Sequence, residues 1–314
     1  MPKRPISFAL LLCATAPAIA ADIEVDPTDL AALRRSEGSG SAFIDPDSKV
    51  NSRTAFELRY TYGLDSDIDG GFGGEIGVQD IYFSAPIPIY HRDGFRIFSG
   101  VKYKYSQVDF SGPVPFADLD AHRVTLPVNV LHEKGSWLWW AHAAPSYAGD
   151  FDDFDADGVA VSGMISAAYS VNQHLKLAAG LYYQYRHGDD LFVPGVGIIW
   201  TPIPELEIRL TPPRPQIAYA PSEDWLITLF ADPAGEMWHV SGDRAFGSAY
   251  NLKLRDIQFG LSVERRIAGP VWGFVSGGIG LFRNVEALDG GENVLFEEDA
   301  DPAPFFQIGI RGRF

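Results

Sequence analysis

Apolar and polar residues alternate with a period of two through most of the chain after residue 53. Residues 56–62 alternate in this way, and so do residues 95–106, 123–130, 175–186 and 271–281. A period of two puts the two rows on opposite faces of a β-strand. Several runs reach about ten residues, the length of a tilted membrane-crossing strand, whereas soluble strands usually have about five or six. One row is repeatedly charged or glycine, which a dry core would not accept. The pattern therefore predicts an all-β fold, an antiparallel transmembrane β-barrel.

The connections between these runs are of two kinds. Short ones occupy residues 132–135, 171–173, 202–204 and 268–270, and long acidic ones occupy residues 63–71, 108–119, 149–157 and 285–303. Short periplasmic turns opposite long outer loops are typical of outer-membrane barrels. Aromatic residues cluster near the strand ends, where they are expected to form interfacial girdles.

The number of strands depends on residues 205–250. Leu206, Ile208 and Leu210 form one short run, which Pro212-Pro213-Arg214-Pro215 ends because proline cannot donate to a β-ladder. Treating the segments on either side of the prolines as strands gives about 14 strands in all. Merging the proline region into loops gives 12.

The last ten residues, 305–314, also alternate. Phe306, Ile308, Ile310 and Phe314 share one face, and Arg311 and Arg313 share the other. A strand that ends on an aromatic residue resembles the terminal strand of bacterial outer-membrane barrels. That resemblance implies that Phe314 belongs to an assembly signal and that the barrel-assembly machinery is a partner.

The first residues have the pattern of a secretory signal peptide. Lys3 and Arg4 precede a short apolar run, and Ala18-Ile19-Ala20 is a small-residue cleavage site. We therefore expect residues 1–20 to be a signal peptide, residues 21–52 a periplasmic N-terminal segment, and residues 53–314 the barrel. Whether residues 21–52 plug the barrel stays open. The expected location is the bacterial outer membrane, with its lipid as a partner.

Composition narrows the function further. The first 20 residues hold two of the 25 basic residues and none of the 41 acidic ones, so the chain after residue 20 carries a formal charge of 23 − 41 = −18. This excess argues against binding nucleic acid. Cys13, the single cysteine, lies inside the signal peptide, so the exported chain has no disulfide and no thiolate metal site.

Several local motifs fit a known family. The run 175–200 contains Gly180-Leu181-Tyr182-Tyr183 and Pro194-Gly195-Val196-Gly197. Leu126-Pro127-Val128-Asn129 lies upstream, and Pro212-Pro213-Arg214-Pro215 and Ile217-Ala218-Tyr219 lie downstream. Together these segments resemble an outer-membrane β-barrel family known as a domain of unknown function. The resemblance implies the barrel and its membrane, and it implies no particular activity or site residue.

Two acidic stretches repeat one spacing. Residues 65–70 and 153–158 both read D-x-D-x-D-G, with carboxylates at Asp65, Asp67 and Asp69, and at Asp153, Asp155 and Asp157. Alternate carboxylates before a glycine resemble the start of a Ca²⁺ loop. Position twelve is Ile76 or Met164 instead of glutamate, which excludes an EF-hand. The remaining hypotheses are a simple Ca²⁺ or Mg²⁺ turn in the outer loops and a solvated acidic loop, and no other cofactor is expected.

An enzyme is the alternative reading. His142, Ser146 and Asp150 share one strand face, as in a Ser/His/Asp set of an outer-membrane lipid-modifying enzyme of the phospholipase or deacylase type. Their spacing of four residues separates neighbours by about 13 Å along a strand, too far for a direct proton relay. The sequence therefore assigns no catalytic residue and favours a protein that is not an enzyme.

Basic residues recur on the polar row of successive strands. They are Arg59, Arg96, Lys102, Lys104, Arg123, Lys176 and Arg186, and we expect them to line the lumen. Such a lumen is either a water-filled channel or a closed, salt-bridged core. The sequence thus favours a passive pore or transporter, or a structural surface protein. It leaves the substrate and the oligomeric state open.

Overall fold

The structure is a computed structural model, and it describes residues 48–50, 54–70, 73–187, 189–242, 246 and 248–313. The expectations for residues 1–47, including the signal peptide, and for Phe314 lie outside the described residues. No helix in these ranges is long and apolar enough to cross a membrane.

Strands make up most of the described chain. Their bounds are β1 Thr54–Ile68, β2 Gly74–Arg92, β3 Phe95–Ser111, β4 Leu119–Thr125, β5 Val128–Lys134, β6 Trp137–Gly149, β7 Val159–Ser170, β8 Leu175–Arg186, β9 Asp189–Ile203, β10 Leu206–Leu210, β11 Gln216–Ser222, β12 Trp225–Pro233, β13 Glu236–Val240, β14 Tyr250–Ala268, β15 Val271–Leu288, β16 Val294–Ala300 and β17 Ala303–Arg313. A short 3₁₀ turn, Ala156–Gly158, precedes β7.

These strands form one closed antiparallel ring of fourteen positions. Three positions hold two strands in line: β4 with β5, β12 with β13, and β16 with β17. The interruptions fall at Pro127, Gly235 and Pro302, because proline lacks a ladder donor and glycine permits a bend. Pairing of β17 with β1 closes the ring. The count of 14 strands is confirmed over the alternative of 12, since β10 and β11 pair as separate strands.

The two faces of the sheet follow the predicted alternation. On β17, Phe306, Ile308 and Ile310 are exposed on the outer face, while Arg311 and Arg313 lie on the inner face, the latter almost fully buried. The same outer face carries Ile165 and other large apolar side chains around the ring. The barrel thus presents an apolar exterior and a polar interior.

Two of the segments expected as long outer loops are largely strand. β1 continues to Ile68, and β15 continues to Leu288 and returns as β16. Ile68, Val285 and Ala287 are buried, so the acidic residues alternate with an apolar row that packs inside the ring.

Apolar side chains fill one side of the barrel at its long-loop end. Ile76, Val108, Trp238, Leu252 and Val285 are almost fully buried in one cluster. β13 reaches this cluster by turning inward from the wall. There it pairs in parallel with the end of β6, where His239 lies opposite Gly149. This side of the long-loop end is closed by a packed core.

Residues 48–50 contact the inner wall at the short-turn end. The Lys49 backbone N–H donates to the Pro204 carbonyl (2.7 Å), and its side chain pairs with Glu205 (2.7 Å). Val50 is buried against Ala218, Ala220, Leu226 and Trp272. This part of the predicted N-terminal segment therefore lies against the lumen wall.

Candidate functional site

All seven predicted lumen cations lie on the inner face. They are Arg59, Arg96, Lys102, Lys104, Arg123, Lys176 and Arg186, and the strand registers place each in line with inner-face neighbours. Carboxylates compensate several of them: Arg59 pairs with Glu57 (3.0 Å), and Arg96 pairs with Glu133. The mixed charge predicted for the lumen is thus organised in local networks.

The network nearest the short-turn end is tightly packed. Glu264, with a side chain 1% exposed, accepts hydrogen bonds from Arg311 (2.9 Å) and Arg313 (2.7 Å). Arg311 also pairs with Glu57 (3.3 Å), and its guanidinium lies 4.0 Å from the centre of the Phe274 ring. Each charge here is held by several partners, so this network is structural.

A second network spans the lumen through β13. The Glu236 carboxylate lies 2.7 Å from Arg123 and 3.3 Å from Lys104, and Lys104 also pairs with Asp80 (3.0 Å). Gly235 makes the inward turn possible, because a Cβ at that position would lie 2.6 Å from the Leu254 carbonyl oxygen. β13 therefore divides the lumen at this height.

The loop between β10 and β11, residues 211–215, also enters the lumen and is termed here the inner loop. Gly195 and Gly197 on the inner face of β9 leave room for it, since a Cβ at Gly195 would lie 3.2 Å from Pro212. Arg214 at the loop tip pairs with Asp232 (2.6 Å). It interacts electrostatically with Glu57, Tyr82 and Lys102 on the opposite wall. The inner loop and β13 together narrow the lumen to a constriction.

Arg214 marks water-accessible space at this constriction. Its side chain is 68% exposed although charged groups of both walls surround it. A guanidinium in a filled core would be buried against packed neighbours. The interior of the ring at this level therefore leaves room for water beside the inner loop.

Hydrogen bonds join the outer turns across the mouth. His187 at the end of β8 pairs with Asp157 (3.2 Å) and contacts the carbonyl of Asp289 (3.2 Å). The Asp289 carboxylate accepts hydrogen bonds from the backbone N–H groups of Gly291 and Asn293 (both 2.8 Å). The Asn293 side chain, followed by its backbone N–H, holds the pKa of Asp289 below its ordinary value. These turns brace the outer rim.

The structure does not bring His142, Ser146 and Asp150 together. His142 contacts Asn129 (2.9 Å), Ser146 donates to the Ala160 carbonyl (3.3 Å), and the Asp150 carboxylate accepts from Ser241 (2.9 Å). Each side chain is oriented by a different partner. The enzyme alternative gains no geometric support from these residues.

The two acidic motifs have different local structures. Asp65 and Asp67 lie on β1 and Asp69 just after it, whereas Asp153 and Asp155 accept backbone hydrogen bonds within their own loop. Among the described residues, no group of three or more histidine, cysteine or acidic side chains could hold a metal ion. The Ca²⁺ or Mg²⁺ hypothesis stays a prediction that rests on sequence spacing alone.

Sequence reasoning missed two residues of the constriction, Arg214 and Glu236. Arg214 lies in a proline segment whose path depends on the glycines of β9. Glu236 lies in a short strand with no strong alternation. The Ala234-Gly235 pair, which interrupts a strand pattern, was the available signal.

Residues 128–313 match the model of a protein family described as a domain of unknown function (DUF6268). No curated protein matches the chain. Among solved structures, the COG4313 outer membrane channel from Pseudomonas putida F1 is similar with a TM-score of 0.44 and 9% identity over 86% of this chain and 100% of that one. The P. putida toluene transporter TodX is similar with a TM-score of 0.40 and 9% identity, over 88% of this chain and 93% of that one. The KdgM porin in complex with disordered oligogalacturonate is similar with a TM-score of 0.33 and 9% identity, over 82% of this chain and 99% of that one.

Proposed function

This chain belongs to the family described as a domain of unknown function (DUF6268), and we propose that it is a passive pore for small solutes in the bacterial outer membrane. The exposed Arg214 carries the proposal. A charged side chain that stands inside a closed ring with 68% of its surface accessible supports a hydrated lumen, because a charge is costly to bury without water or partners.

The size of the ring supports the proposal. Eight strands leave an interior just wide enough for side chains, and porins of about 16–18 strands leave an aqueous channel. A ring of fourteen strands has an interior of intermediate width, and β13 and the inner loop narrow it further. We expect small solutes to pass and larger ones to be excluded.

The outer face supports the location. Isoleucine, leucine and valine side chains are exposed around the ring. At the short-turn ends, Trp137, Trp139, Trp200 and Trp225 are exposed on the same face, and Tyr169 packs on Trp137 with 5.0 Å between ring centres. Aromatic rings at this level suit the membrane interface. A soluble protein would rarely expose so large an apolar belt.

Conductance of the refolded protein in a planar bilayer tests the function. We expect discrete current steps from the wild-type protein in KCl. Replacing Arg214 with alanine should increase the step size, because it removes the bulky side chain at the constriction. The matched control is Arg265→Ala on the outer face, where the guanidinium lies 5.2 Å from the Trp225 ring centre.

A folded protein without current steps would overturn the pore and favour a structural role. Folding is checked independently by the heat-modifiable gel mobility of each sample. Steps that are the same size in the wild type and in the Arg214→Ala variant would place the constriction elsewhere.

A further inference from the structure

The lumen cation Lys102 has neutral neighbours in the sheet. Lys102 lies on the inner face of β3, between Ser84 of β2 and Thr125 of β4 in the strand register. Both neighbours are neutral. Among the described residues, no carboxylate oxygen lies within ion-pairing distance of the Lys102 ammonium, whereas Lys104, two residues further along, pairs with Asp80 and Glu236.

Arg214, which acts electrostatically on Lys102 from across the lumen, carries a charge of the same sign. The carboxylates that also act on Lys102 are those of Glu57 and Asp232. Asp232 is held by Arg214 itself at 2.6 Å, and Glu57 is held by Arg59 and Arg311. The carboxylates near Lys102 are thus committed to other cations, and two positive groups face one hydrated space.

The geometry points to a binding site for small organic carboxylates between Lys102 and Arg214. The Arg214 Nε is the atom bonded to Asp232, so both terminal nitrogens of its guanidinium stay available for a bidentate contact with a carboxylate. The Lys102 ammonium supplies a point charge from the other wall. The site lies in the constriction and rests on the proposed pore function. It adds that the solutes of this pore are anionic.

The inner face of β6, on one side of Lys102, carries no carboxylate. Trp140 lies on the inner face of β6, where it is 36% exposed, and its indole N–H donates to Asn129 (3.1 Å). The Asn129 oxygen also contacts His142, which interacts electrostatically with Lys102. In the strand register, Lys102 lies in line with Ser146 of β6, six residues from Trp140. This wall therefore offers Lys102 no competing ion-pair partner, and Trp140 lies too far along the strand to join the site.

Selectivity and block in the planar bilayer test the site. With a KCl gradient, we expect the wild-type zero-current potential to have the sign of chloride preference, and added citrate to reduce the current. In Lys102→Met and in Arg214→Gln, the half-blocking citrate concentration should rise about tenfold, as when one charge-assisted contact is lost. Arg265→Gln, which removes a charge on the outer face, is the matched control and should behave as the wild type.

Calorimetric titration of the refolded protein with citrate separates this site from the pore function. A protein that carries no current but binds citrate, with binding lost in Lys102→Met, would refute the pore and retain the site. A protein that conducts, with citrate block and ion preference unchanged in both variants, would retain the pore and refute the site. Heat-modifiable mobility confirms that each variant is folded.

Discussion

The Glu236 carboxylate lies 2.7 Å from the Arg123 guanidinium although their strands stand on opposite sides of the barrel. Arg123 belongs to the fourth position of the ring, and Glu236 to the eleventh of fourteen. A wall residue reaches the opposite wall because β13 leaves the barrel surface. The pair therefore marks the place where the lumen is divided.

Replacing Glu236 with glutamine should destabilise this division. The change leaves Arg123 and Lys104 without their shared carboxylate, and loss of one partner of a buried pair costs about 3 kcal/mol or more. We expect a lower thermal midpoint and a larger single-channel conductance. The exposed Glu297 provides the control, Glu297→Gln, with neither effect. An unchanged conductance in folded Glu236→Gln would show that β13 does not limit the current.

Replacing Gly235 with alanine should shift β13 without removing any charge. The new Cβ would meet the Leu254 carbonyl oxygen at 2.6 Å, and such overpacking typically costs about 1–3 kcal/mol. We expect a lower midpoint in chemical denaturation. In Gly163→Ala, where the nearest atom is 3.5 Å away, the midpoint should stay near that of the wild type. Equal midpoints for the two variants would show that β13 adapts freely.

Adjacent residues on β17 test which face meets lipid. Ile308 is exposed on the outer face and Gln307 is half-buried on the inner face. An arginine at the bilayer midplane costs about 2–4 kcal/mol on the lipid side of a barrel. Ile308→Arg should therefore lower the folded fraction in lipid vesicles, measured by heat-modifiable mobility, much more than Gln307→Arg. A larger loss of folded protein in Gln307→Arg than in Ile308→Arg would show that the inner face of β17, and not the outer one, meets lipid.

The turn 289–293 should loosen in acid. Hydrogen bonds from Asn293 hold the pKa of Asp289 below its ordinary 3.8. A lowered folded-state pKa contributes stability that is fully present above the unfolded pKa and is lost as the pH falls through the folded one. Cleavage at this turn by an acid protease should thus rise as the pH falls below about 3.8. In Asp289→Asn this pH dependence should vanish; a persistent dependence would point to another group.

The faces and the strand count could be read from the sequence because each depends on local order. Adjacent side chains such as Gln307 and Ile308 point to opposite faces of any extended strand, whichever strand it pairs with. The prolines at 212–215 separate β10 from β11 because proline lacks a donor. These features need no knowledge of distant partners.

The positions of β13 and the inner loop inside the lumen could not be predicted from local sequence order. The position of Glu236 depends on Arg123, more than a hundred residues earlier in the chain, and that of Arg214 depends on the room left by Gly195. The acidic segments 63–71 and 285–303 were expected as loops because their charge masked a buried apolar row. The sequence predicts Lys102 in the lumen, but only the positions of the described carboxylates show that none of them forms an ion pair with it.

The pairing of His239 with Gly149 also constrains the order of assembly. The two residues are ninety positions apart, and joining distant parts of a chain is entropically costly until the intervening structure holds them close. The six strands from β7 to β12 must first be in place as wall. We therefore expect the lumen to be divided only after most of its wall exists, so the strands of the wall must pair correctly without guidance from β13.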